Sequence, residues 1–229
     1  MTINLSSENA LLVMAKRPFP GKTKTRLTPF LSQKQASNLY ECFLKDVLDK
    51  VANLSGVAPF VAYAPETAVS YFQAVAPHFG LLPQRGEALG DRLDDVLTAC
   101  QNLGYKRVAA MNSDSPNLPP DYLSQAFERL ADEAVDLVLG PCEDGGYYLI
   151  GWKRPYPAVV REVTMSTPRV LPDTLAIANK LGLTVALLPE WYDVDSKEEL
   201  NRLSNDLKNA PDDAPRTAAF LKELFKPVT

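Results

Sequence analysis

Five carboxylates in three short segments and five cations in a fourth are the residues of this chain whose types and spacing suit chemistry. Asp114 stands in Ser113-Asp114-Ser115-Pro116, directly after the apolar run of residues 107–111. A carboxylate at a strand terminus, followed by a proline that redirects the chain, is well placed to hold Mg²⁺ or Mn²⁺ against a pyrophosphate group. Asp193 and Asp195 are separated by one residue, so on an extended segment they point the same way and can join Asp114 around one metal. Glu143 and Asp144 precede Gly145-Gly146. These carboxylates can offer a base and an acceptor for a sugar hydroxyl, and the glycines let a substrate approach the backbone. Each segment also has a plain structural reading: an Asx turn at Asp114, an Asp-Gly turn at Asp144, and a helix-start carboxylate at Asp195 beside Ser196.

The cations lie in "MAKRPFPGKTKTRL", residues 14–27. Lys16, Arg17, Lys22, Lys24 and Arg26 can surround di- or triphosphate oxygens, arginine as a planar fork and lysine as a mobile point charge. Gly21 permits close backbone approach, while Pro18 and Pro20 stiffen the loop. The spacing is not G-x-x-x-x-G-K-[ST], so P-loop ATP hydrolysis is not signalled. Two lesser candidates complete the set. Gly90, Asp91 and Arg92 stand at a helix start, where Asp91 can cap and Arg92 can reach a phosphate or nucleobase, and Ser166 and Thr167 can hydrogen-bond a ligand or cap a helix.

These loops need a scaffold, and the hydrophobic pattern supplies one. Apolar runs at residues 10–15, 59–64, 80–84, 107–111 and 135–139 predict strands. Between them, stripes through Leu39, Phe43, Val47 and Val51, and through Leu93, Val96, Leu97 and Cys100, predict helices, with further helices over 66–75 and 122–130. Later come an aromatic strand at "GGYYLIGWKR", a helix entered through Ser166 or Thr167, a strand at "LTVALLPE", and two helices toward the C-terminus. Ser32 with Gln35, and Ser196 with Glu199, are capping-box pairs. Strands alternating with helices predict an α/β domain with a mostly parallel sheet covered on both faces, in which ligands collect beyond the C-terminal strand ends. No repeat or low-complexity linker divides the chain, so one domain over 1–229 is expected.

Composition narrows the partners. The 229 residues are 46% hydrophobic and 23% charged, with a formal charge of −4. An acidic balance gives no general reason to bind nucleic acid or an anionic membrane, which makes the basic loop a local exception. A single histidine argues against histidine zinc sites and His-dependent triads, and three scattered cysteines suggest neither a disulfide framework nor a thiolate cluster. No apolar stretch approaches the ~20 residues of a membrane span, and residues 1–16 lack a leader pattern. A cytoplasmic protein using an oxygen-bound metal is the expectation.

The chain resembles the DUF2064 group of GT-A-like bacterial glycosyltransferases, within the nucleotide-diphospho-sugar transferase superfamily. The matching stretches are "AKRPFPGKTKTRL", "GEALGDRLDDVL", "NSDSPNLP", "GPCEDGGYYLIG", "STPRVLPDTL" and "DVDSKEEL", which together run from about residue 10 to 205. The resemblance implies a GT-A or Rossmann-like three-layer sandwich with a mostly parallel mixed sheet, its early strands forming a nucleotide half and its later strands an acceptor half. It implies that Lys16, Gly21, Lys24 and Arg26 hold the nucleotide and that Gly90, Asp91 and Arg92 border its pocket. It further implies that Asp114 takes the place of the metal-binding Asp, and that Asp144, Gly145 and Gly146 line the sugar or acceptor side. The group's usual metal motif is Asp-x-Asp, whereas Asn112-Ser113-Asp114-Ser115 has a single Asp; Met165 stands where a Trp is common. The leading expectation is therefore metal-assisted transfer of a sugar from a nucleotide diphosphate sugar to a small acceptor. The alternative is a nucleotidyltransferase joining a nucleoside triphosphate to a small phosphorylated or carboxylated substrate, with release of pyrophosphate.

Overall fold

Residues 7–226 are described by the structure, a computed structural model; the leader reading falls partly on residues 1–6, outside that range. Seven strands form one sheet: β1 (Asn9–Lys16), β2 (Val57–Ala64), β3 (Gly80–Pro83), β4 (Arg107–Met111), β5 (Leu137–Pro141), β6 (Tyr147–Trp152) and β7 (Val185–Leu187). Their order is β3-β2-β1-β4-β6-β5-β7, with β6 antiparallel to both its neighbours and every other pair parallel.

Period-two side-chain alternation sends Leu11, Val13, Val61 and Met111 to one face, and Ala10, Leu12, Ala62 and Ala110 to the other. The first face packs on α1 (Gln33–Ala52), α2 (Val69–Val75) and α4 (Pro120–Ala131). The second packs on α3 (Leu89–Asn102), α5 (Ala158–Arg161) and α6 (Val170–Lys180). The result is the expected three-layer sandwich. A third cluster fastens α7 (Lys197–Asn209) and α8 (Pro215–Leu224) to α1 through Phe43, Leu203 and Leu221.

Both capping boxes form. Ser32 Oγ accepts from the Gln35 N–H while Gln35 Oε1 accepts from the Ser32 N–H, and Ser196 with Glu199 does the same at α7. Two elements depart from expectation. The four-residue α5 is too short to show a helical period. The helix expected to enter through Ser166 or Thr167 begins at Val170, because Ser166 adopts a left-handed φ of 63° and breaks the run.

Topology collects the chemistry at one edge. The chain leaves β1 at Lys16 and β4 at Met111 side by side, since Val13 pairs with Met111. Because β6 is antiparallel, its first residues arrive at that same edge. The segment before α7 then runs past β5, where the Trp191 N–H donates to the Pro141 carbonyl, and across to β4, where the Val194 N–H donates to the Asp114 carbonyl. Among the described residues no helix is long and apolar enough to cross a membrane.

Candidate active site

A cleft of about 630 Å³ opens over this edge. Lys16 at the end of β1 and Lys22, Lys24 and Arg26 from the segment after it line one side; Asp114, Asp144, Asp193 and Asp195 face it. The floor is tied by Tyr40 of α1. Its hydroxyl accepts from the Lys16 N–H at 3.1 Å and pairs with Ser113 Oγ at 2.8 Å, and Ser113 Oγ also donates to the Met14 carbonyl at 3.0 Å. Burial, reinforced by the Asp114 charge, pushes the Tyr40 phenol up to about 12, so it stays a neutral staple between the ends of β1 and β4.

Lys24 is the centre of the arrangement. Its Nζ lies 2.6 Å from Asp114 Oδ1 and 2.8 Å from Asp195 Oδ1, with the side chain only 4% exposed. Burial alone would lower its pKa, but the two carboxylates outweigh that and raise it, so the ammonium is permanently charged. Lys24 adopts a left-handed φ of 49° just before a 3₁₀ turn at Thr25–Leu27. Arg26, 71% exposed, donates to Asp195 Oδ2 at 3.1 Å. Against its burial, Lys24 and Arg26 hold the Asp195 carboxyl below the usual range.

Asp193 is built differently. Asn112 Nδ2 and Ser115 Oγ donate to its Oδ1 at 2.7 Å each, and the Cys142 thiol donates at 3.3 Å. All three land on one oxygen, and Oδ2 accepts from no described donor. Burial, followed by the neighbouring Asp114 charge, raises the Asp193 carboxyl to about 6 despite those hydrogen bonds. The extended segment therefore does not aim Asp193 and Asp195 at one point as the sequence suggests, because one is held by the β4 loop and the other by Lys24. Among the described residues no three His, Cys, Asp or Glu side chains converge into a ready metal cluster, so the expected set of Asp114, Asp193 and Asp195 is not assembled as a closed cage.

The donor chemistry nonetheless fits a hard divalent ion such as Mg²⁺ or Mn²⁺. Asp114 and Asp195 offer carboxylate oxygens to a single point, and the Lys24 ammonium marks it as a place where positive charge is stabilised.

The remaining candidates divide. Gly146 lines the cleft, and its N–H donates to Asp144 Oδ1 at 2.9 Å, with Asp144 lining the cleft beside it. Glu143 is drawn away from the main cleft: Arg202 Nη1 of α7 grips both its oxygens at 2.8 and 2.7 Å, while the guanidinium stacks 3.9 Å over the Tyr192 ring. Its expected role as a base is thus corrected by a partner 59 positions away. Ser166 and Thr167 line the cleft.

Gly90, Asp91 and Arg92 do not line the cleft; their neighbours Leu89 and Leu93 do. A Cβ on Gly90 would lie 2.0 Å from the Val160 carbonyl oxygen, so this glycine lets α3 approach α5. Asp91 Oδ2 accepts from the Ala88 N–H, and Arg92 donates to the Gly86 and Glu87 carbonyls at 3.0 Å each. Arg17 also leaves the site, lying 5.6 Å over the Tyr71 ring. Gly21 and Gly145 serve backbone shape at φ values of 76° and 87°; a Cβ on Gly145 would lie 2.1 Å from the Pro168 carbonyl oxygen.

Sequence reasoning missed four contributors. Tyr40 hides inside an apolar stripe, and Gln84, whose Nε2 donates to the Ala15 and Ala62 carbonyls at 3.2 and 2.7 Å, stands alone after β3. Asn112 and Ser115 flank Asp114, and their small polar side chains on either side of a carboxylate were the available signal.

Comparison with known proteins bears on the family and the fold. The model of a family described as "Uncharacterized protein conserved in bacteria (DUF2064)" matches residues 47–167. A curated relative, the 2-phospho-L-lactate guanylyltransferase of Methanobrevibacter smithii, is 27% identical over 124 residues, 54% of this chain and 53% of the relative; the match thus spans about half the length of that protein. A crystal structure from Desulfovibrio desulfuricans G20, provisionally named a nucleotide-diphospho-sugar transferase, superposes with a TM-score of 0.89 at 33% identity, covering 95% of each chain. The 4-diphosphocytidyl-2C-methyl-D-erythritol synthase of Anaerococcus prevotii DSM 20548 shares the fold, with a TM-score of 0.59 at 8% identity over 88% of this chain and 97% of that one.

Proposed function

The chain belongs to the DUF2064 family of bacterial proteins, and from that premise we propose that it is a nucleotidyltransferase, coupling a nucleoside triphosphate to a small acceptor with release of pyrophosphate. The observation that carries this reading is the opposition, across one cleft, of four cations at the end of β1 and in the loop after it and the carboxylates at the end of β4 and before α7. Four clustered cations suit a triphosphate, which carries more negative charge than the diphosphate of a nucleotide sugar. The reading is supported by the guanylyltransferase name of the curated relative and by the synthase that shares the fold.

The attacking oxygen of the acceptor forms a bond to the α-phosphorus, the bond from that phosphorus to the bridging oxygen of the β-phosphate breaks, and pyrophosphate leaves. An acceptor phosphate or carboxylate is already ionised and needs no base. Asp144 then serves as the hydrogen-bond acceptor that orients the acceptor's hydroxyl groups, with Gly146, Ser166 and Thr167 beside it. Lys16, Lys22 and Arg26 position the triphosphate and stabilise the charge that grows on the departing pyrophosphate. Asp114 and Asp195 would hold Mg²⁺ or Mn²⁺, which would supply further positive charge to offset the charge of the departing pyrophosphate.

Glycosyl transfer remains the second reading, because the 33% identical relative bears a nucleotide-diphospho-sugar transferase name. A thermal-shift panel separates the two, since preferential binding to the folded state raises its melting temperature. Nucleoside triphosphates with Mg²⁺ are expected to stabilise the protein more than any nucleotide sugar. The reverse order transfers the assignment to sugar chemistry.

A further inference from the structure

We propose that Lys24 is a displaceable internal counter-ion, holding the place of the divalent ion between Asp114 and Asp195 and moving to the triphosphate when that ion arrives. The inference deepens the reading above, resting on it for the identity of the triphosphate but not for the competition between lysine and metal.

The geometry makes the two cations exclusive. Lys24 Nζ sits at hydrogen-bond distance from one oxygen of each carboxylate, 2.6 Å to Asp114 Oδ1 and 2.8 Å to Asp195 Oδ1. A Mg²⁺ ion bound to those same oxygens at ~2.1 Å would lie within about 3 Å of the ammonium, a separation at which the two positive charges repel. One must leave. The charge inventory also explains why a lysine occupies the gap. Asp114 and Asp195 face one point at the end of β4, and Asp193 is anchored beside them by Asn112 and Ser115. With no cation between them, Asp114 and Asp195 would repel each other; Lys24, seconded by Arg26 on Asp195, holds the pair together before any ligand enters.

The lysine also has somewhere to go. Lys16, Lys22 and Arg26 line the same cleft and define where phosphate oxygens are attracted. Lys24 belongs to that loop, so a turn of its long flexible side chain carries the ammonium from the carboxylates toward the phosphates. Metal and nucleotide thus become coupled through one side chain: the metal alone must compete with Lys24, whereas metal and triphosphate together give the ammonium a new partner.

Mn²⁺ binding to the full chain, followed by electron paramagnetic resonance without nucleotide or acceptor, tests this directly. The expected result is weak binding by the wild type, binding at least tenfold tighter by Lys24→Gln, and wild-type-like weak binding by Lys24→Arg, which keeps the charge. Circular dichroism confirms that each variant is folded. A measurement on the unaltered protein accompanies it: the Lys24 ammonium resonance in ¹⁵N-lysine-labelled protein is expected to be protected from exchange in the metal-free state and to lose that protection on addition of Mg²⁺ with a triphosphate. A folded Lys24→Gln that binds Mn²⁺ no tighter than wild type overturns the proposal, as does an ammonium that stays protected with both ligands bound. Because the Mn²⁺ titration contains no nucleotide, its outcome is independent of whether the enzyme transfers a nucleotidyl or a glycosyl group.

Discussion

Two segments on the rim of the sheet carry the same residue types and end in opposite roles. The loop after β1 contains Gly21, Lys22, Lys24 and Arg26; the start of α3 contains Gly86, Gly90, Asp91 and Arg92. In the first, Lys24 and Arg26 reach across to carboxylates of distant segments, and Lys22, Lys24 and Arg26 line the cleft. In the second, Asp91 and Arg92 hydrogen-bond backbone groups of their own turn, with Asp91 also 3.9 Å from Arg161 of α5, and Gly90 is consumed by the approach to α5. What separates them is whether a side chain finds a local backbone partner. Arg92 has two carbonyls within six residues, while Lys24 has none and takes partners from the ends of two other segments. A cation without a local partner is the one available to a ligand.

Substitutions sharpen this contrast. The largest effect is expected for Asp114→Asn: a loss of about 10³-fold in kcat/KM, within the range for removing a charged group that organises the transition state, with the melting temperature held or raised. Steady-state kinetics beside calorimetry checks it, and a variant that loses stability in proportion to activity would place Asp114 in the scaffold instead. Gly90→Ala is expected to do the opposite. The new methyl meets the Val160 carbonyl oxygen, so the fold should lose about 1–3 kcal/mol, as for overpacked sites, with kcat/KM per folded molecule nearly unchanged.

The paired arginines give a smaller and more pointed difference. Arg26→Ala should weaken triphosphate binding by about tenfold, or ~1.4 kcal/mol, whereas Arg92→Ala should leave it within about twofold. Equal losses in titration calorimetry would erase the distinction between the two segments.

The smallest expected effect is a pH-dependent one at Asp193. Its folded pKa of about 6 lies above the ordinary 3.8, so folding favours the protonated form. The stability it contributes is present below about pH 4 and is lost as pH rises through about 6. All three donors to Asp193 reach Oδ1, which an asparagine carbonyl reproduces. Metal-free Asp193→Asn should therefore melt about 2–4 °C above wild type at pH 7.5, the shift that ~1 kcal/mol produces in a chain of this size, and the two curves should converge near pH 4. A constant offset across that range would show that the effect is not ionisation.

Much of this layout was legible in the sequence, for a physical reason. Strand alternation and both capping boxes are local signals, and Asp114, Asp144 and the basic loop follow strands whose C-terminal ends must meet in a parallel sheet. What escaped depends on contacts between distant segments. Nothing near Glu143 announces Arg202, nothing near Gly90 announces Val160, and Tyr40 reads as one more residue beside an apolar stripe until its hydroxyl meets Lys16 and Ser113. The left-handed Ser166 likewise delays α6 by a local backbone choice that its side chain does not advertise.

The central claim is that the cleft moves a nucleotidyl group, and the fate of the α-phosphate tests it most directly. The protein is incubated with Mg²⁺, a small-molecule extract of bacterial cells, and either nucleoside triphosphates labelled with ³²P at the α-position or nucleotide sugars labelled with ¹⁴C in the sugar. The account predicts that ³²P enters a new product as pyrophosphate is released, and that this is lost with Asp114→Asn. Transfer of ¹⁴C-sugar to a product, with the α-phosphate retained in a nucleoside diphosphate, would contradict it.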